Sequence, residues 1–405
     1  MFLTRPRGLF TLERVRAAFA SRVAPSIRPD VIQEQADMAR KARAAVCRSW
    51  ESPIGVEEIE VESPRRDEVM IRLHACGVCH SDLSAATGVI PFPPPLVVGH
   101  EGAGEVVEVG EGVTEYQVGD RVVTTFVTMC GRCAQCASGH PVRCETKGSA
   151  MTTLPDGTVR TRDLEGNDLN VFSGCGVMAE YATLHVNNLV RLDAQVPMDR
   201  AALVGCAVMT GAGAVFNTAR VEPGSTVVVL GVGGVGLNVI QAARIAGARQ
   251  VIAIDRAADK LEMAREFGAT DVLEANEDAV RSVRKLSGGG VDYAFECVGL
   301  GAVVEQAYGC LGKGGTAVVV GVAPIKDKTT VGTLSLPADE KTLTGCWFGS
   351  ARPRKDFPKL FALYESGQLK LDELVTRTYT IEEAPEAFAD MQAGRTAARG
   401  VIVFD

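Results

Sequence analysis

The sequence lacks any uninterrupted apolar run of roughly 18 residues, the length that a membrane-spanning helix needs. Glycine, proline or a charged residue interrupts every candidate stretch, so an integral membrane protein is not expected. Basic residues are also outnumbered, with 42 Lys and Arg against 50 Asp and Glu and a formal net charge of -8. Because phosphate backbones are bound by basic surfaces, nucleic acid is not an expected partner either.

What the chain does contain is typical of a globular protein. Its 405 residues are 46% hydrophobic and 23% charged, which is enough to bury a large core and excludes disorder as the main state. A chain of this length exceeds a single compact core of about 150 residues, so we expect two domains.

Histidine is scarce, with five residues, whereas cysteine is abundant, with twelve. Four of the cysteines lie within fifteen residues of one another. In a chain that can build its own core, such a cluster holds metal more often than it forms disulfides. The pattern therefore predicts a reducing compartment, and we expect a cytoplasmic protein.

The N-terminus is compositionally distinct from the rest of the chain. The first 28 residues carry six arginines and one acid, Glu13, a composition that resembles an organellar transit peptide. A solvated extension, or a natural start at Met38, is the alternative. We treat residues 1–41 as an N-terminal extension, which keeps organellar import open.

Two different patterns of secondary-structure signals follow one another along the chain. From Ala44 to about Val123, short β-type runs are punctuated by glycine and proline, which predicts a mostly β domain. From Val221 onward, apolar strands alternate with helical segments at the spacing of βαβ units, which predicts a doubly wound parallel sheet. The tail beyond Trp347 ends in GVIVFD and is expected to rejoin the first domain. The expected fold class is therefore α/β.

A glycine-rich stretch, GVGGVG, begins at Gly231; it follows the strand TVVVL and opens a helix, as a dinucleotide-binding loop requires. Gly231 permits the tight turn, Gly233 lets a pyrophosphate approach the backbone, and Gly236 lets helix and strand pack closely. Asp255, nineteen residues later, ends the next strand and can bind the adenosine ribose hydroxyls. Its carboxylate repels a 2′-phosphate, which favours NAD over NADP, although Arg256 tempers this preference.

The four clustered cysteines follow the spacing C-x2-C-x2-C-x7-C and are Cys130, Cys133, Cys136 and Cys144. The residues between them are polar, which argues against four unrelated buried thiols. Four thiolates on one loop suit a closed tetrahedral zinc site. Since such a site leaves no open position for chemistry, the expected role is structural.

A second metal site would have to be assembled from distant residues. The candidates are Cys79 in GVCHSD, His100 in GHEGAG and Cys206 in GCAVMTG. Two thiolates and one imidazole match an open catalytic zinc, with Asp82 or Glu101 nearby to hold the histidine. Spacing alone does not distinguish these residues from ordinary buried packing residues.

These motifs, with the terminal GRTAARGVIVF, occur in the order seen in zinc-dependent medium-chain alcohol dehydrogenases, and the chain resembles that family from about residue 42 to its end. The resemblance implies a mostly β, GroES-like catalytic domain over residues 42–207 and 348–405, which includes the structural-zinc lobe. It implies an NAD-binding Rossmann domain over residues 208–347. The segment between Cys144 and Glu180 is more similar to the branch of the animal-type and glutathione-dependent formaldehyde enzymes than to the shorter tetrameric microbial branch.

The resemblance also implies roles around the catalytic zinc. The three candidate ligands would hold the metal, with Asp82 bonding the far ring nitrogen of His100 and Glu101 lying behind the metal. Ser81 would hold the substrate hydroxyl proton.

The remaining residues implied by the resemblance contact NAD. His80 and Arg399 would contact the pyrophosphate, Lys260 the adenosine ribose beside the strand-end carboxylate, and Thr210 and Val235 the nicotinamide. The alternative is that Lys260 and Arg399 are ordinary surface charges and that Thr210 and Val235 are core residues.

The leading hypothesis is an enzyme with one catalytic and one structural zinc per chain that transfers hydride between an alcohol and NAD. Oxidation of a thiol adduct of formaldehyde is the closest alternative, but Lys147 is a doubtful substitute for the basic residue expected after the fourth lobe cysteine. A nonenzymatic dinucleotide-binding protein on the same scaffold would be expected to have lost a catalytic ligand, and none is lost. The expected partners are a small alcohol or aldehyde and a second copy of the chain in a homodimer.

One position departs from the family pattern. Many members have a histidine five residues after the first zinc-ligand cysteine, which passes the proton from the ribose hydroxyl to water; here that position is Ser84. A serine hydroxyl is not a base near neutral pH. We expect the proton to leave directly to water, or the enzyme to keep its nucleotide bound and cycle differently.

Overall fold

The computed structural model describes residues 39–146 and 151–405. Two expectations, the transit-like N-terminal segment and the substitute basic residue Lys147, lie outside the described residues. Ala39–Asp405 forms one compact unit by its contacts.

The strands of the described residues are β1 (Arg40–Cys47), β2 (Gly55–Val61), β3 (Glu68–Gly77), β4 (Leu96–Val97), β5 (Gly102–Val109), β6 (Arg121–Thr124), β7 (Thr161–Asp163), β8 (Asn170–Val171), β9 (Tyr181–His185), β10 (Leu189–Arg191), β11 (Thr226–Leu230), β12 (Gln250–Asp255), β13 (Asp271–Glu274), β14 (Val291–Glu296), β15 (Leu311–Val319), β16 (Thr342–Gly345), β17 (Val375–Tyr379) and β18 (Arg399–Val403). The helices are α1 (His80–Ala86), α2 (Ala134–Ala137), α3 (Met198–Ala219), α4 (Gly234–Ile245), α5 (Ala258–Glu266), α6 (Ala279–Leu286), α7 (Gly301–Cys310), α8 (Ser335–Ala338), α9 (Pro353–Glu365) and α10 (Ala384–Gln392).

Two mainly antiparallel sheets are built from β1–β10 and the last two strands. The first has the order β7-β2-β1-β4-β8, and the second has the order β10-β6-β5-β3-β18-β17, with β9 also paired to β3. The expected return of the tail is confirmed, because β18 pairs antiparallel with β3, with Val401 opposite Gly77. β1 begins at Arg40, two residues before the expected start of the first domain at residue 42.

The third sheet is parallel throughout, with the order β13-β12-β11-β14-β15-β16. This confirms the doubly wound α/β arrangement. β11 is buried along its whole length and is apolar after Thr226, as expected for a strand covered by helices on both faces. The strand order reverses between β11 and β14, and in such sheets a ligand binds outside the carboxyl ends of the strands at that point.

Helix α3 connects the two parts of the fold. Within it, Val204–Val208 and Ala214–Ala219 are π-helical turns. Among the described residues, α3 is the one helix long and apolar enough to cross a membrane by length and composition, but 83% of that window is buried inside the molecule. It contacts β3 and β5 near its start and α4 further along. The expected domain boundary between residues 207 and 208 lies within this helix.

Candidate active site

Three elements bring the predicted metal ligands together. Cys79 immediately precedes α1, His100 lies between β4 and β5, and Cys206 lies in the first π-helical turn of α3. One ligand atom from each, and one carboxylate oxygen of Glu101, all lie within 4.8 Å of one another, and all four residues are buried. Two thiols and an imidazole form a donor set that fits zinc.

Asp82 fixes the imidazole of His100. Its Oδ1 lies 3.2 Å from His100 Nδ1 and accepts a 2.7 Å hydrogen bond from Gly99 N. Gly99 has a φ of +97°, and a Cβ there would lie 2.2 Å from Met178 N, so glycine is required for this approach. Burial disfavours charge on His100, but Asp82 and Cys79 together outweigh it and raise the pKa of His100 well above its usual value. The arrangement leaves Nε2 of His100 for a metal.

The pKa values of the two thiols of the cluster shift in opposite directions. A hydrogen bond from Cys206 lowers the pKa of Cys79 well below its usual value, and the positive charge of His100 adds to this. The thiolate is the form of cysteine that binds a cation, so this shift favours metal binding at Cys79.

Glu101 pairs with Arg399 in the interior. Arg399 Nη2 donates to Glu101 Oε1 at 2.5 Å, and both side chains are buried. Burial raises the pKa of Glu101 to about 8, with Arg399 opposing that shift. Sequence reasoning placed Glu101 behind the metal but missed this partner, because 298 positions separate the two residues and no local pattern links them.

The same Arg399 also reaches the glycine-rich loop. A Cβ on Gly234 would lie 2.5 Å from Arg399 Cδ, so the arginine stem packs directly on the start of α4. This places its guanidinium between the metal-ligand cluster and the loop.

The glycine-rich loop has the local geometry that the sequence predicts. Gly231 has a φ of +94°, which favours glycine. A Cβ on Gly233 would meet nothing within 4 Å, whereas a Cβ on Gly236 would lie 1.9 Å from Gly231 O. The open space at Gly233 and the close packing at Gly236 fit a pyrophosphate at the N-terminus of α4.

Asp255 ends β12 beside this loop. Its Oδ2 accepts from Val232 N at 2.7 Å, and its Oδ1 accepts from Arg256 N at 2.8 Å. Oδ1 also accepts from Ala257 N at 3.1 Å, whereas Oδ2 accepts one bond only and retains a lone pair for a ribose hydroxyl.

Other residues predicted to bind the nucleotide also lie near one another. Partial desolvation lowers the pKa of His80, and the charges of Arg399 and Lys260 lower it further, so both cations lie near this ring. Thr210 is buried in α3, and a Cβ on the next residue, Gly211, would lie 2.5 Å from Val235 O. Helices α3 and α4 therefore cross where Thr210 and Val235 lie.

Ser81 and Ser84 lie three residues apart in α1, and both are partly exposed. Residues at this spacing share a helix face. The predicted proton acceptor and the position that departs from the family pattern are therefore neighbours.

The four-cysteine lobe forms a second cluster whose sulfur atoms also lie within 4.8 Å of one another. Backbone N–H groups donate to several of these sulfurs: Cys133 N to Cys130 Sγ at 3.3 Å and Cys130 N to Cys144 Sγ at 3.4 Å. Such bonds, first from Arg132 N and then from Cys133 N, lower the pKa of Cys130 to about 6. Four thiol sulfurs this close together fit a closed zinc site.

Aromatic rings surround the His100 imidazole, which sequence reasoning did not anticipate. The rings of Phe126 and Phe172 lie edge-on to it at 5.3 and 5.1 Å. Trp347 and Phe348 in turn lie 6.3 and 4.3 Å from Phe126. Aromatic residues make up only 5% of the chain and come here from separate loops, so nothing in the sequence groups them.

Two family models match the chain. One is described as Alcohol dehydrogenase GroES-like domain and matches residues 65–194, and the other as Zinc-binding dehydrogenase and matches residues 234–366. The first match covers the four-cysteine lobe with Cys79 and His100, and the second begins within the glycine-rich loop, so that Cys206 lies between the two.

The chain is also similar to characterised proteins along most of its length. It is 40% identical over 373 residues to the NDMA-dependent alcohol dehydrogenase of Amycolatopsis methanolica, covering 90% of this chain and 99% of that one. It is 36% identical over 378 residues to the S-(hydroxymethyl)glutathione dehydrogenase of Paracoccus denitrificans, with coverages of 90% and 100%. The crystal structure of benzyl alcohol dehydrogenase from Acinetobacter calcoaceticus matches with a TM-score of 0.85 and 33% identity, covering 90% of this chain and 100% of that one.

Proposed function

Because the chain belongs to the zinc-dependent medium-chain alcohol dehydrogenase family and is an oxidoreductase that acts on alcohols, we propose that it uses NAD and binds one catalytic and one structural zinc ion. The main observation in support is the buried cluster of Cys79, His100 and Cys206. It lies next to Arg399, which also packs on the glycine-rich loop.

When bound, zinc supplies a Lewis acid for the alcohol oxygen and NAD supplies the hydride acceptor. The chain's own residues then have separate tasks. Asp82 holds the orientation of His100, and Ser81 Oγ accepts a hydrogen bond from the substrate hydroxyl and relays its proton while giving up its own, so the serine stays neutral. Arg399 and His80 bind the pyrophosphate, while the buried aromatic rings around His100 exclude water.

Metal analysis tests the zinc proposal directly. We expect two zinc ions per chain and loss of alcohol oxidation after chelation of the catalytic ion. A chain without zinc that keeps full activity through chelation would contradict it.

Substitution at the strand-end carboxylate tests the NAD proposal. In Asp255→Ala, NAD affinity should fall at least about tenfold, because the ribose loses a charged hydrogen bond, and binding of NADP should rise. Binding of both nucleotides is measured by titration calorimetry. Asp278→Ala removes a carboxylate that pairs with Arg281 on α6 and serves as the control. An unchanged NAD to NADP ratio in Asp255→Ala would refute the role of Asp255.

We further propose that the substrate carbon carries an aromatic or bulky apolar group. The rings of Phe126 and Phe172 against His100, with Trp347 outside them, favour such a group. The similarity to a benzyl alcohol dehydrogenase agrees with this. Initial rates with benzyl alcohol, long-chain alcohols, ethanol, and formaldehyde plus glutathione provide the test, and preference for the formaldehyde adduct would favour the thiol-dependent alternative instead.

A second candidate is a cycle in which NAD stays bound between turnovers. The specific observation is Ser84, which offers no base for proton release from a freely exchanging nucleotide, and a relative is named for its dependence on NDMA. Nucleotide analysis of the isolated protein decides between the two. About one NAD per chain after extensive dialysis would support the bound form, and nucleotide-free protein with full activity on added NAD would exclude it.

We also propose a homodimer in the cytoplasm. Ile325 and Leu334 are 77% and 79% exposed, and they lie in the segment that leads to β16, the edge strand of the parallel sheet. Exposed apolar side chains near a sheet edge favour pairing with a second copy. The cytoplasmic location rests on the twelve cysteines, all of them free thiols. Light scattering of Leu334→Lys should show a monomer where the parent is a dimer, and cell fractionation tests the location.

A further inference from the structure

A left-handed turn lies at the point where the chain leaves the parallel sheet. Three consecutive residues have positive φ: Phe348 at 49°, Gly349 at 64° and Ser350 at 48°. Only glycine adopts this conformation without cost, so the two flanking residues carry strain that neighbouring groups must offset.

Glycine is required at the centre of the turn by packing as well. A Cβ on Gly349 would lie 2.2 Å from Met209 O, and a Cβ on Gly213 would lie 2.3 Å from Gly349 O. The turn is therefore pressed against the middle of α3, next to Thr210.

Two side chains at the end of α3 hold the turn. Asn217 Nδ2 donates to Gly349 O at 3.1 Å, and Thr218 Oγ1 lies 2.8 Å from Ser350 Oγ. The amide of Asn217 is engaged on both sides, since Nδ2 also donates to Asp356 Oδ2 at 3.1 Å and Oδ1 accepts from Arg352 Nη2 at 3.0 Å.

The turn determines where two rings of the active site lie. Phe348 is its first residue and packs 4.3 Å from Phe126, while Trp347 directly precedes it and meets the same ring at 82°. Phe126 in turn lies edge-on to His100. A contact path therefore runs from Asn217 through the turn to the rings beside the metal ligands.

We propose that Asn217 is a positioning residue for substrate specificity: by holding the left-handed turn Phe348–Ser350, it places Trp347 and Phe348 where they accept an aromatic substrate group. Its effect on kinetics rests on the function proposed above, whereas its effect on ring placement does not. Loss of the bond to Gly349 O should move the rings and leave the metal cluster intact.

The test uses Trp347 as its own reporter. Since the chain has two tryptophans, Trp50→Phe leaves Trp347 as the only one, and all variants are compared in that background. In Asn217→Asp, the bond to Gly349 O is lost, and a carboxylate faces Asp356. The double variant Asn217→Asp with Asp356→Asn restores a hydrogen-bond donor between positions 217 and 356, but it leaves Gly349 O without its donor. Its properties therefore report the loss of the bond to the turn without repulsion between two carboxylates.

In the double variant we expect thermal stability close to the parent, a red-shifted Trp347 emission and stronger acrylamide quenching. KM for benzyl alcohol should rise about three- to tenfold, the effect of one lost hydrogen bond, with kcat and the kinetics of ethanol unchanged. Asn276→Asp, whose Oδ1 accepts from Asp278 N outside the site, is the matched control and should change neither signal.

Parental Trp347 emission and quenching in the double variant would overturn the proposal. If that variant does not fold, Thr218→Val removes the bond to Ser350 and should give a smaller shift in the same direction; parental emission there would overturn it equally. A chain that oxidises no alcohol would refute the proposed function, while the emission measurements would still decide the role of Asn217.

Discussion

Ser84 lies one turn beyond Ser81 on α1, at the position where many family members have the histidine of the proton relay. Its hydroxyl cannot take up a proton near neutral pH, so release depends on water reaching the ribose directly.

Restoring a base tests whether this step limits the rate. In Ser84→His, alcohol oxidation below about pH 7 should rise, because a positioned base contributes about 10²-fold at the low end of its range. The measurement is kcat against pH for parent and variant. Ser84→Ala, which removes a hydroxyl that is not a base, should match the parent; superimposable curves for all three would show that proton release is not limiting.

Single residues also mark the limit of sequence reasoning. Cys79, His100 and Cys206 are predictable as ligands because each lies in a short motif that resembles one of the zinc-dependent family, although spacing alone does not distinguish them. The pairing of Glu101 with Arg399 has no such pattern and depends on β18 returning to β3. Nor does a sequence signal mark the positive φ of Phe348, since the contacts that offset its strain come from α3.

At the level of elements, two glycines of the six-residue glycine-rich loop have different roles: Gly233 serves nucleotide binding, and Gly236 serves packing of the fold. Gly233→Ala should leave thermal stability unchanged, because its methyl group meets open space and its φ of -88° suits alanine. NAD affinity should still fall at least about tenfold, because the methyl group occupies the approach of the pyrophosphate.

Gly236→Ala should behave in the opposite way. Its methyl group would meet Gly231 O at 1.9 Å, so α4 must shift, and overpacking of this kind costs about 1–3 kcal/mol. Thermal denaturation of the two variants without nucleotide provides the comparison. Equal melting temperatures would show that the loop relaxes freely.

The two metal clusters should respond differently to the same chemical change. Cys206→Ser should abolish turnover and leave the fold, since three protein ligands would leave a coordination position for substrate, whereas Cys133→Ser should mainly lower stability and zinc content. Activity, zinc content and melting temperature are measured for both. A Cys133→Ser protein as heat-stable and zinc-rich as the parent would rule out a structural metal in the lobe.

Helices and strands are predictable from the sequence where the residues that determine them are close together in the chain. The strand, turn and helix around Gly231 follow from an all-apolar run and glycine spacing, and the structure agrees. The aromatic wall could not be predicted, because Phe126, Phe172 and Trp347 lie in three loops whose meeting depends on tertiary packing.

For the molecule as a whole, His74 in β3 couples stability to pH. Desolvation lowers its pKa, and the charges of Arg72 and Arg121 lower it further against the opposing effect of Glu105. The unfolded chain, with a histidine pKa of about 6.5, then binds a proton that the folded chain excludes. The stability contribution of neutral His74 is therefore complete above about pH 6.5 and is lost as the pH falls below it.

His74→Gln should reduce that dependence. Urea unfolding of the zinc-loaded protein between pH 8 and about pH 5.5 should show a smaller loss of unfolding free energy in the variant than in the parent. Identical slopes would mean that His74 keeps the same pKa in both states.

Arg399 has a consequence for the whole molecule that neither site shows alone. Its guanidinium bonds to a carboxylate of the metal cluster while its stem packs on the loop where the nucleotide is proposed to bind. We therefore expect the occupancy of one site to change the affinity of the other, and thermodynamics makes any such influence equal in both directions. The nucleotide affinity of a preparation that has lost its metal would accordingly misrepresent that of the metal-loaded protein.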